Sequence, residues 1–255
     1  MAKVAVISDI HGNLPALEAT VAAIRVEGIA EVLCLGDVVG YGADPGPCLE
    51  KVWETCSVLV RGNHEEAVLD PATARSFNPV ARVAIEWTRR VLDWDHFGMM
   101  KAMRSVFEGG DRLTLVHDSP VPTSGGGYLH DARTAAIAFR GFDSRVCIVG
   151  HTHVPIAFVA PHGSSGDGLE PGDIETHELV DGEEFAWPRE GRAILNPGSV
   201  GQPRDGDPRA SFAVIDLDRG TFGLRRVEYD VARAQASLRR VGLPSPLVDR
   251  LAIGA

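Results

Sequence analysis

The chain has 255 residues, of which 44% are hydrophobic, so it is long enough to bury a substantial core. Its formal net charge is −10 and its basic residues are scattered, which excludes the basic face of a duplex-binding protein and predicts no bulk nucleic-acid partner. No apolar run reaches membrane-spanning length, and the apolar run after Lys3 meets Asp9 and His11 too soon for a signal peptide. The four cysteines have no paired spacing. We therefore expect a cytoplasmic protein without a membrane partner.

Strands and helices are predicted to alternate through the first 150 residues. Short apolar runs predict buried strands at 4–8, 32–35, 58–60, 113–116 and 146–149. Patterns of helical period predict helices at 14–26, 47–54, 79–91, 96–107 and 131–139. This alternation indicates an α/β layer architecture with crossover connections.

The pattern changes after residue 153. Strand-like segments at 156–159, 193–195, 211–217 and 222–229 predict a second, more antiparallel sheet, followed by a closing helix at 231–241. The segment 161–192 is rich in Gly, Ser, Asp and Glu, and we interpret it as a surface excursion or hairpin. We expect the whole chain, 1–255, to form one domain.

Potential metal ligands stand at or near the ends of the five early strands. The runs end in the segments Asp9-Ile10-His11, Gly36-Asp37, Gly62-Asn63-His64, His117 and Gly150-His151-Thr152-His153. Ligands of open α/β sheets collect outside the carboxyl ends of strands, so these side chains are expected to converge on one pocket. In the Asp-x-His and His-x-His segments, residues two apart point to the same side of an extended chain, about 6 to 7 Å apart. That spacing suits one ion held twice or two adjacent ions.

The candidate ligands are carboxylates, imidazoles and one amide, without a thiolate. Oxygen and nitrogen donors of this kind favour Mn²⁺, with Fe, Zn²⁺ or Ni²⁺ as alternatives, over a Cys-rich structural zinc site. Two ions about 3.5 to 4 Å apart can activate a bridging water, orient a phosphate and offset the charge on the transferred group. Two divalent ions at this place would favour an anionic substrate, because the local charge of the ions overrides the acidic net charge.

The order of the motifs DxH, GDxVxxG, GNHE, VH and GHTH resembles that of the calcineurin-like metallophosphoesterase superfamily. The resemblance covers almost the whole chain, and the five motifs are specific together although each alone is weak. It implies a four-layer α/β/β/α sandwich of two mixed β-sheets flanked by helices. It also implies a metal-dependent phosphoric ester hydrolase with a binuclear centre.

The resemblance assigns a role to each matched residue. The residues implied to bind one ion are Asp9, His11 and His153. The residues implied to bind the other ion are Asn63, His117 and His151. Asp37 would bridge the two ions, and His64 would be the catalytic histidine that stabilises the transition state or protonates the leaving oxygen. The implied reaction is in-line attack on phosphorus by a hydroxide that bridges the ions, without a covalent enzyme intermediate.

Further features resemble the small bacterial phosphodiesterase-like branch of this family. They are Asn13 after the glycine of DIHG, Tyr41 in GDVVGYG, and the segment NPGSVGQPR that ends at Arg204. We expect Asn13, Tyr41 and Arg204 to contact the substrate, while capping, packing and local surface pairing stay open as alternatives. GDVVGYG lacks the Asp and Arg of the protein phosphatase motif GDxVDRG, which disfavours a phosphoprotein substrate. Asp118 follows His117 at a position where this branch leads us to expect glycine.

The leading hypothesis is hydrolysis of a small phosphodiester or nucleotide-type phosphate ester, with a phosphodiesterase favoured over a phosphomonoesterase. The alternatives are a phosphomonoesterase, a dinucleoside polyphosphate hydrolase, and a non-catalytic metal-binding scaffold of the same fold. The sequence pattern leaves the physiological substrate and the oligomeric state open.

Overall fold

Twelve strands and eight α-helices form in the part of the chain that the computed structural model describes, residues 3–121, 127–160, 168–188 and 190–255. The strands are β1 (Val4–Ile7), β2 (Glu31–Cys34), β3 (Val58–Leu59), β4 (Val106–Gly109), β5 (Leu113–Val116), β6 (Val146–Ile148), β7 (Ile156–Ala160), β8 (Glu175–Glu178), β9 (Glu184–Ala186), β10 (Arg192–Asn196), β11 (Ala210–Asp216) and β12 (Thr221–Val227). The helices are α1 (Leu14–Val26), α2 (Pro45–Thr55), α3 (Asn63–Leu69), α4 (Pro79–Val91), α5 (Trp94–Ala102), α6 (Ala132–Ala138), α7 (Val231–Arg240) and α8 (Ser245–Asp249). Among these residues, no helix is both long and apolar enough to cross a membrane.

The strands form two six-stranded mixed sheets. The first has the order β3-β2-β1-β11-β12-β9 and the second the order β4-β5-β6-β10-β7-β8. In the first sheet β1 pairs in parallel with β2 and antiparallel with β11, and in the second β10 pairs in parallel with β6 and antiparallel with β7. Apolar side chains of both sheets, including Val6, Leu115 and Phe222, fill the space between them. The two sheets therefore share one apolar interior.

Helices cover the outer face of each sheet. Leu17 of α1 packs with Phe212 on the outer side of the first sheet. Ala135 of α6 packs with Phe158 on the outer side of the second sheet. The layers thus follow the order helix, sheet, sheet, helix, and the predicted four-layer sandwich is confirmed.

Helices α1 and α4 begin at their predicted residues because an asparagine caps each of them. The Asn13 side chain accepts the backbone N–H of Ala16, and the Asn78 side chain accepts that of Ala81. Each helix also has a proline in its first turn, where the missing N–H has no helical partner to lose.

The helix predicted over 96–107 is wrong in its second half. It ends at Ala102, and Val106–Gly109 forms β4, in which Phe107 lies opposite Leu115 of β5. Phe107 packs against the core between the sheets. Pairing and burial at this sheet edge therefore override the helical pattern.

The strands after residue 153 do not form a sheet of their own, which corrects the prediction. Strands β9, β11 and β12 extend the first sheet, and β7, β8 and β10 extend the second. A separate late sheet would have left one edge of β1 and one edge of β6 without a hydrogen-bonding partner, whereas β11 and β10 pair with these edges.

The segment 161–192 adds an edge strand to each sheet. Strand β8 pairs with β7, and β9 pairs with β12. Most side chains of β8 and β9 are exposed, as the prediction of a surface segment requires. Residues 161–167 and 189 lie outside the described part of the chain. The extent of one domain over 1–255 stays a prediction.

Candidate metal centre

Loops at the strand ends of both sheets bring seven candidate ligands to one place. Asp9 and His11 follow β1, and Asp37 follows β2. The remaining four lie at the start of α3, after β5 and after β6: Asn63, His117, His151 and His153. All seven are buried except Asn63, which is half-buried. The first and second sheets therefore contribute to the same centre.

The ligand atoms form overlapping groups around the two aspartates. Among the described residues, three groups each bring one ligand atom per side chain within 4.8 Å of one another. The groups are Asp9, His11 and His153; His11, Asp37 and His64; and Asp37, His117 and His151. His117 Nε2 lies 3.2 Å from Asp37 Oδ2, and His153 Nε2 lies 3.3 Å from Asp9 Oδ1. Asp37 belongs to two of the groups.

Backbone carbonyl groups orient three of the imidazoles. In each case the Nδ1–H group donates a hydrogen bond to a carbonyl oxygen. The pairs are His11 with Val39 (3.1 Å), His117 with Leu35 (2.9 Å) and His153 with Gln202 (2.6 Å). Since Nδ1 carries the hydrogen, Nε2 is directed at the centre, as in histidines that bind metal ions.

The donor atoms fit a bound cation at both ends of the centre. His11 Nε2 and His153 Nε2 lie 3.1 Å apart. Burial holds the pKa of both imidazoles well below its usual range. Both are therefore neutral, and their two lone pairs face each other, which is repulsive unless a cation lies between them. At the other end burial opposes a charge on His117, but Asp37 outweighs it and raises the pKa of His117 to about 10. The Asp37 charge thus favours positive charge at this end of the centre.

The two aspartates differ in their electrostatic environment. Burial raises the pKa of Asp9 to about 6, although the charge on His117 lowers it. Burial acts on Asp37 in the same direction, but His117 and His64 together outweigh it and hold the pKa of Asp37 well below its usual range. Asp37 therefore keeps its negative charge to a lower pH than Asp9 does. It also belongs to two of the ligand groups.

Strained backbone conformations are concentrated at this centre. Among the described residues, every non-glycine residue with a positive φ belongs to the predicted site: Asp9, His11, Asp37, Tyr41, His151 and His153, with φ between 49° and 66°. A side chain in this region costs free energy, so the surrounding structure must hold it there. This clustering is an independent sign of a functional site.

Glu65 organises the loop of Asp37, and sequence reasoning missed it. The Glu65 carboxylate is fully buried and accepts backbone N–H groups of Asp37 (2.9 Å), Val39 (3.0 Å) and Gly62 (2.8 Å). Burial, together with the Asp37 charge, raises the pKa of Glu65 to about 7. The signal was present as the last residue of GNHE, since a glutamate three residues after a helix cap can bond back to the cap N–H.

The segment 196–204 holds two of the ligand loops. The Ser199 hydroxyl donates to the Asp9 carbonyl oxygen (2.7 Å) and accepts the backbone N–H of Gln202 (2.8 Å). The Asn196 amide donates to the Gly150 carbonyl oxygen (2.7 Å), just before His151. The turn-like sequence PGSVG therefore has a structural role beside the centre.

A cavity of about 490 Å³ opens over the ligands. Its lining includes the ligands Asp37, Asn63, His151 and His153. The other lining residues are Tyr41, His64, Thr73, Ser76, Phe77, Asn78, Asp118, Tyr128 and Arg204. The Tyr128 ring stacks on His151 with centroids 4.0 Å apart, and Phe77 meets His64 edge-on at 5.0 Å. Neither Phe77 nor Tyr128 was among the candidate site residues expected from the sequence.

The three residues expected to contact substrate take different positions. Tyr41 and Arg204 line the cavity, and the Arg204 guanidinium carbon lies 5.9 Å from the centre of the Tyr41 ring. The Asn13 amide donates to the Gly201 carbonyl oxygen (2.8 Å), while its oxygen caps α1. Asn13 is absent from the described lining of this cavity. Its contacts support the capping alternative, and a substrate contact by Asn13 stays a prediction.

Known proteins are similar to this chain in sequence and in fold. The family model of the calcineurin-like phosphoesterase superfamily domain matches residues 2–220. An uncharacterized protein of Methanocaldococcus jannaschii is 33% identical over 98% of each chain. The phosphodiesterase YfcE of Escherichia coli is 25% identical over 86% of this chain and 89% of its own length.

Solved structures agree with this assignment. A metallophosphoesterase from Sphaerobacter thermophilus is 39% identical, with a TM-score of 0.84 over 100% of this chain and 99% of its own. A hypothetical protein from Pyrococcus horikoshii OT3 is 20% identical, with a TM-score of 0.76 over the same shares of both chains, and it shows the shared fold. From the matched domain and these relatives, the chain belongs to the calcineurin-like phosphoesterase superfamily.

Proposed function

We propose that this protein is a phosphodiesterase that hydrolyses a small phosphodiester or nucleotide-type phosphate ester with two divalent metal ions. The observation that carries the proposal is the position of Asp37 beneath the cavity, with its Oδ2 atom 3.7 Å from His11 Nε2 and 3.2 Å from His117 Nε2. A shared carboxylate of this kind is what two adjacent ions require. The E. coli relative YfcE is described as a phosphodiesterase, which supports the same class of reaction.

The ligands divide between two ion positions. Asp9, His11 and His153 would hold one ion, and Asp37 would contact both. The residues that would hold the second ion together with Asp37 are Asn63, His117 and His151. Bound there, divalent ions would activate a water molecule and offset the negative charge on the phosphoryl group. Mn²⁺ is our first choice, with Fe, Zn²⁺ or Ni²⁺ as alternatives, because imidazole and oxygen donors without a thiolate suit each of these ions.

Residues around the cavity would orient the ester. Arg204 presents a positive charge to the phosphoryl oxygens, and the His64 imidazole lies on the same wall. Asp118 adds a carboxylate to the lining. A phosphomonoester carries about 1.5 to 2 negative charges at neutral pH, whereas a diester carries one, so repulsion from Asp118 penalises a monoester more. This difference supports a diester.

The first test is hydrolysis of a bis-aryl phosphodiester and of the matching aryl monoester with added Mn²⁺. We expect faster cleavage of the diester, no activity after chelation, and recovery on return of the metal. A monoester preference would favour the phosphomonoesterase alternative, and cleavage of dinucleoside polyphosphates alone would favour that class of hydrolase. If metal-loaded protein cleaves no ester of a broad panel, a non-catalytic scaffold is the better explanation.

His64 is expected to affect turnover more than metal binding. His64→Gln should lower kcat for the diester by about 100-fold, the lower range of general acid–base contributions. Metal content should stay close to that of the unchanged protein, because Asp9, Asp37 and His117 are retained. Elemental analysis and steady-state kinetics check this together. Phe77→Leu, which alters the neighbouring ring on the same wall, is the control and should retain most of kcat. A loss of bound metal in His64→Gln in proportion to the loss of kcat would contradict the catalytic role.

A further inference from the structure

Two arginines share a single amide oxygen beside the cavity. Gln202 Oε1 accepts a hydrogen bond from Arg204 Nη2 and another from Arg250 Nη1, both at 3.0 Å. Gln202 is 2% exposed, so this junction lies inside the protein. Arg204 lines the cavity, whereas Arg250 lies at the start of the 3₁₀ turn Arg250–Ala252 near the end of the chain.

Within the described ranges, neither guanidinium forms an ion pair with a carboxylate, whereas Arg209 pairs with Asp181 and Asp207. Burial and the charge of Arg204 lower the pKa of Arg250. Two positive charges therefore meet at a neutral oxygen, and an anion in the cavity would relieve their repulsion.

Arg204 has hydrogen-bonding capacity left for such an anion. Its Nε atom is buried and has no hydrogen-bond partner in the described structure. Its backbone N–H donates to the His153 carbonyl oxygen (3.3 Å), which places Arg204 directly beside the candidate ligands. A phosphate-type oxygen would satisfy the free donor with a charge-assisted hydrogen bond.

The rest of Gln202 is held independently of the arginines. Its backbone N–H donates to Ser199 Oγ (2.8 Å), and its carbonyl oxygen accepts Nδ1–H of His153 (2.6 Å). Changes to Arg250 therefore act on the side-chain amide and on Arg204, while the backbone beside the metal ligands keeps its own contacts. The 3₁₀ turn itself is anchored by buried Leu247 and Leu251.

We propose that Arg250 is a positioning residue that acts through Gln202 to hold the Arg204 guanidinium as an anion-binding group for phosphate-type esters. This inference rests on the proposed function for its substrate class. It assigns a role at the centre to the C-terminal region beyond residue 220, where the match to the family model ends.

The test is a double-mutant cycle between Arg204→Met and Arg250→Met. We expect Arg250→Met to raise the KM for the diester, and the Kd for inorganic phosphate measured by calorimetry, about fivefold, within the range of coupling in one hydrogen-bond network. The change in kcat should be smaller than the change in KM. In the Arg204→Met background, Arg250→Met should have no further effect on phosphate binding. Additive effects would overturn the proposal.

Matched variants separate position from charge and from folding. Arg239→Met removes an exposed positive charge from the same C-terminal region and should leave phosphate binding unchanged; a shift equal to that of Arg250→Met would overturn the proposal. Arg250→Lys should restore much of the affinity. If Arg250→Met does not fold, Gln202→Glu replaces it. A carboxylate at the junction should neutralise both arginines and weaken phosphate binding, and unchanged binding in a folded Gln202→Glu protein would also overturn the proposal.

Phosphate binding also distinguishes this inference from the proposed function. Calorimetry of the metal-loaded protein needs no turnover. If no ester is hydrolysed but phosphate affinity still depends on coupled Arg204 and Arg250, the proposed function fails and the anion-binding group stands. If diesters are hydrolysed and phosphate affinity is insensitive to Arg250→Met, the inference fails and the proposed function stands.

Discussion

Asp37→Asn is expected to abolish metal binding and ester hydrolysis together. Asparagine keeps the shape of the side chain, and its oxygen can still accept the His64 backbone N–H, which Asp37 Oδ1 accepts at 2.9 Å. The change therefore removes the charge with little effect on the loop. Because the Asp37 carboxylate lies 3.7 Å from His11 and 3.2 Å from His117, which belong to different proposed ion positions, we expect both positions to be weakened.

The loss of activity should be on the order of 10³-fold or more, since bound ions supply several kcal/mol of charge stabilisation and each 1.36 kcal/mol is tenfold in rate. Elemental analysis of purified protein and diester kinetics measure the two effects. Asp118→Asn is the matched control, because Asp118 lines the same cavity but belongs to none of the three ligand groups. It should keep its metal. Full metal content and turnover within tenfold in Asp37→Asn would show that Asp37 does not join the two ions.

Glu65→Ala is expected to be the most destabilising change beside the centre. It leaves the backbone N–H groups of Asp37, Val39 and Gly62 buried without their acceptor. A buried donor without a partner costs about 1 to 3 kcal/mol, so the free energy of unfolding should fall by at least about 3 kcal/mol. Urea denaturation in the presence of a chelator measures this loss without a contribution from bound metal.

The adjacent residue provides the control for Glu65. Glu66 is exposed, and its 3.7 Å ion pair with Arg61 lies at the surface. Exposed pairs contribute little, so Glu66→Ala should change the free energy of unfolding by no more than about 0.5 kcal/mol. Equal effects of the two substitutions would mean that the Asp37 loop does not depend on the Glu65 carboxylate.

The strained loops explain why buried supports surround the ligands. Asp37, His151 and His153 adopt positive φ angles that only neighbouring contacts can maintain. Glu65 supplies such contacts to the first of these loops, and Asn196 supplies them to the loop that carries His151 and His153. The geometry of the candidate ligands therefore depends on residues outside the candidate ligand set.

Local sequence patterns were sufficient to predict that these donor side chains converge on one centre. Each early strand is a short apolar run that ends in Asp, Asn or His, and both features are local, so they can be recognised without tertiary structure. The starts of α1 and α4 were equally predictable, because the capping side chains of Asn13 and Asn78 bond to backbone within three residues.

The division of the late strands between the two sheets depends on long-range contacts, and so does the choice of residues that support the centre. The pairing of β1 with β11 joins segments about 200 residues apart, and no local pattern encodes it. Phe107 lies in a strand and not in the predicted helix, because it pairs with β5 and packs against the core between the sheets. The contact of Arg250 with Gln202 likewise depends on how the C-terminal helices pack. Local sequence predicts the candidate ligands, whereas long-range packing and the hydrogen bonds of buried backbone fix their positions and form the cavity around them.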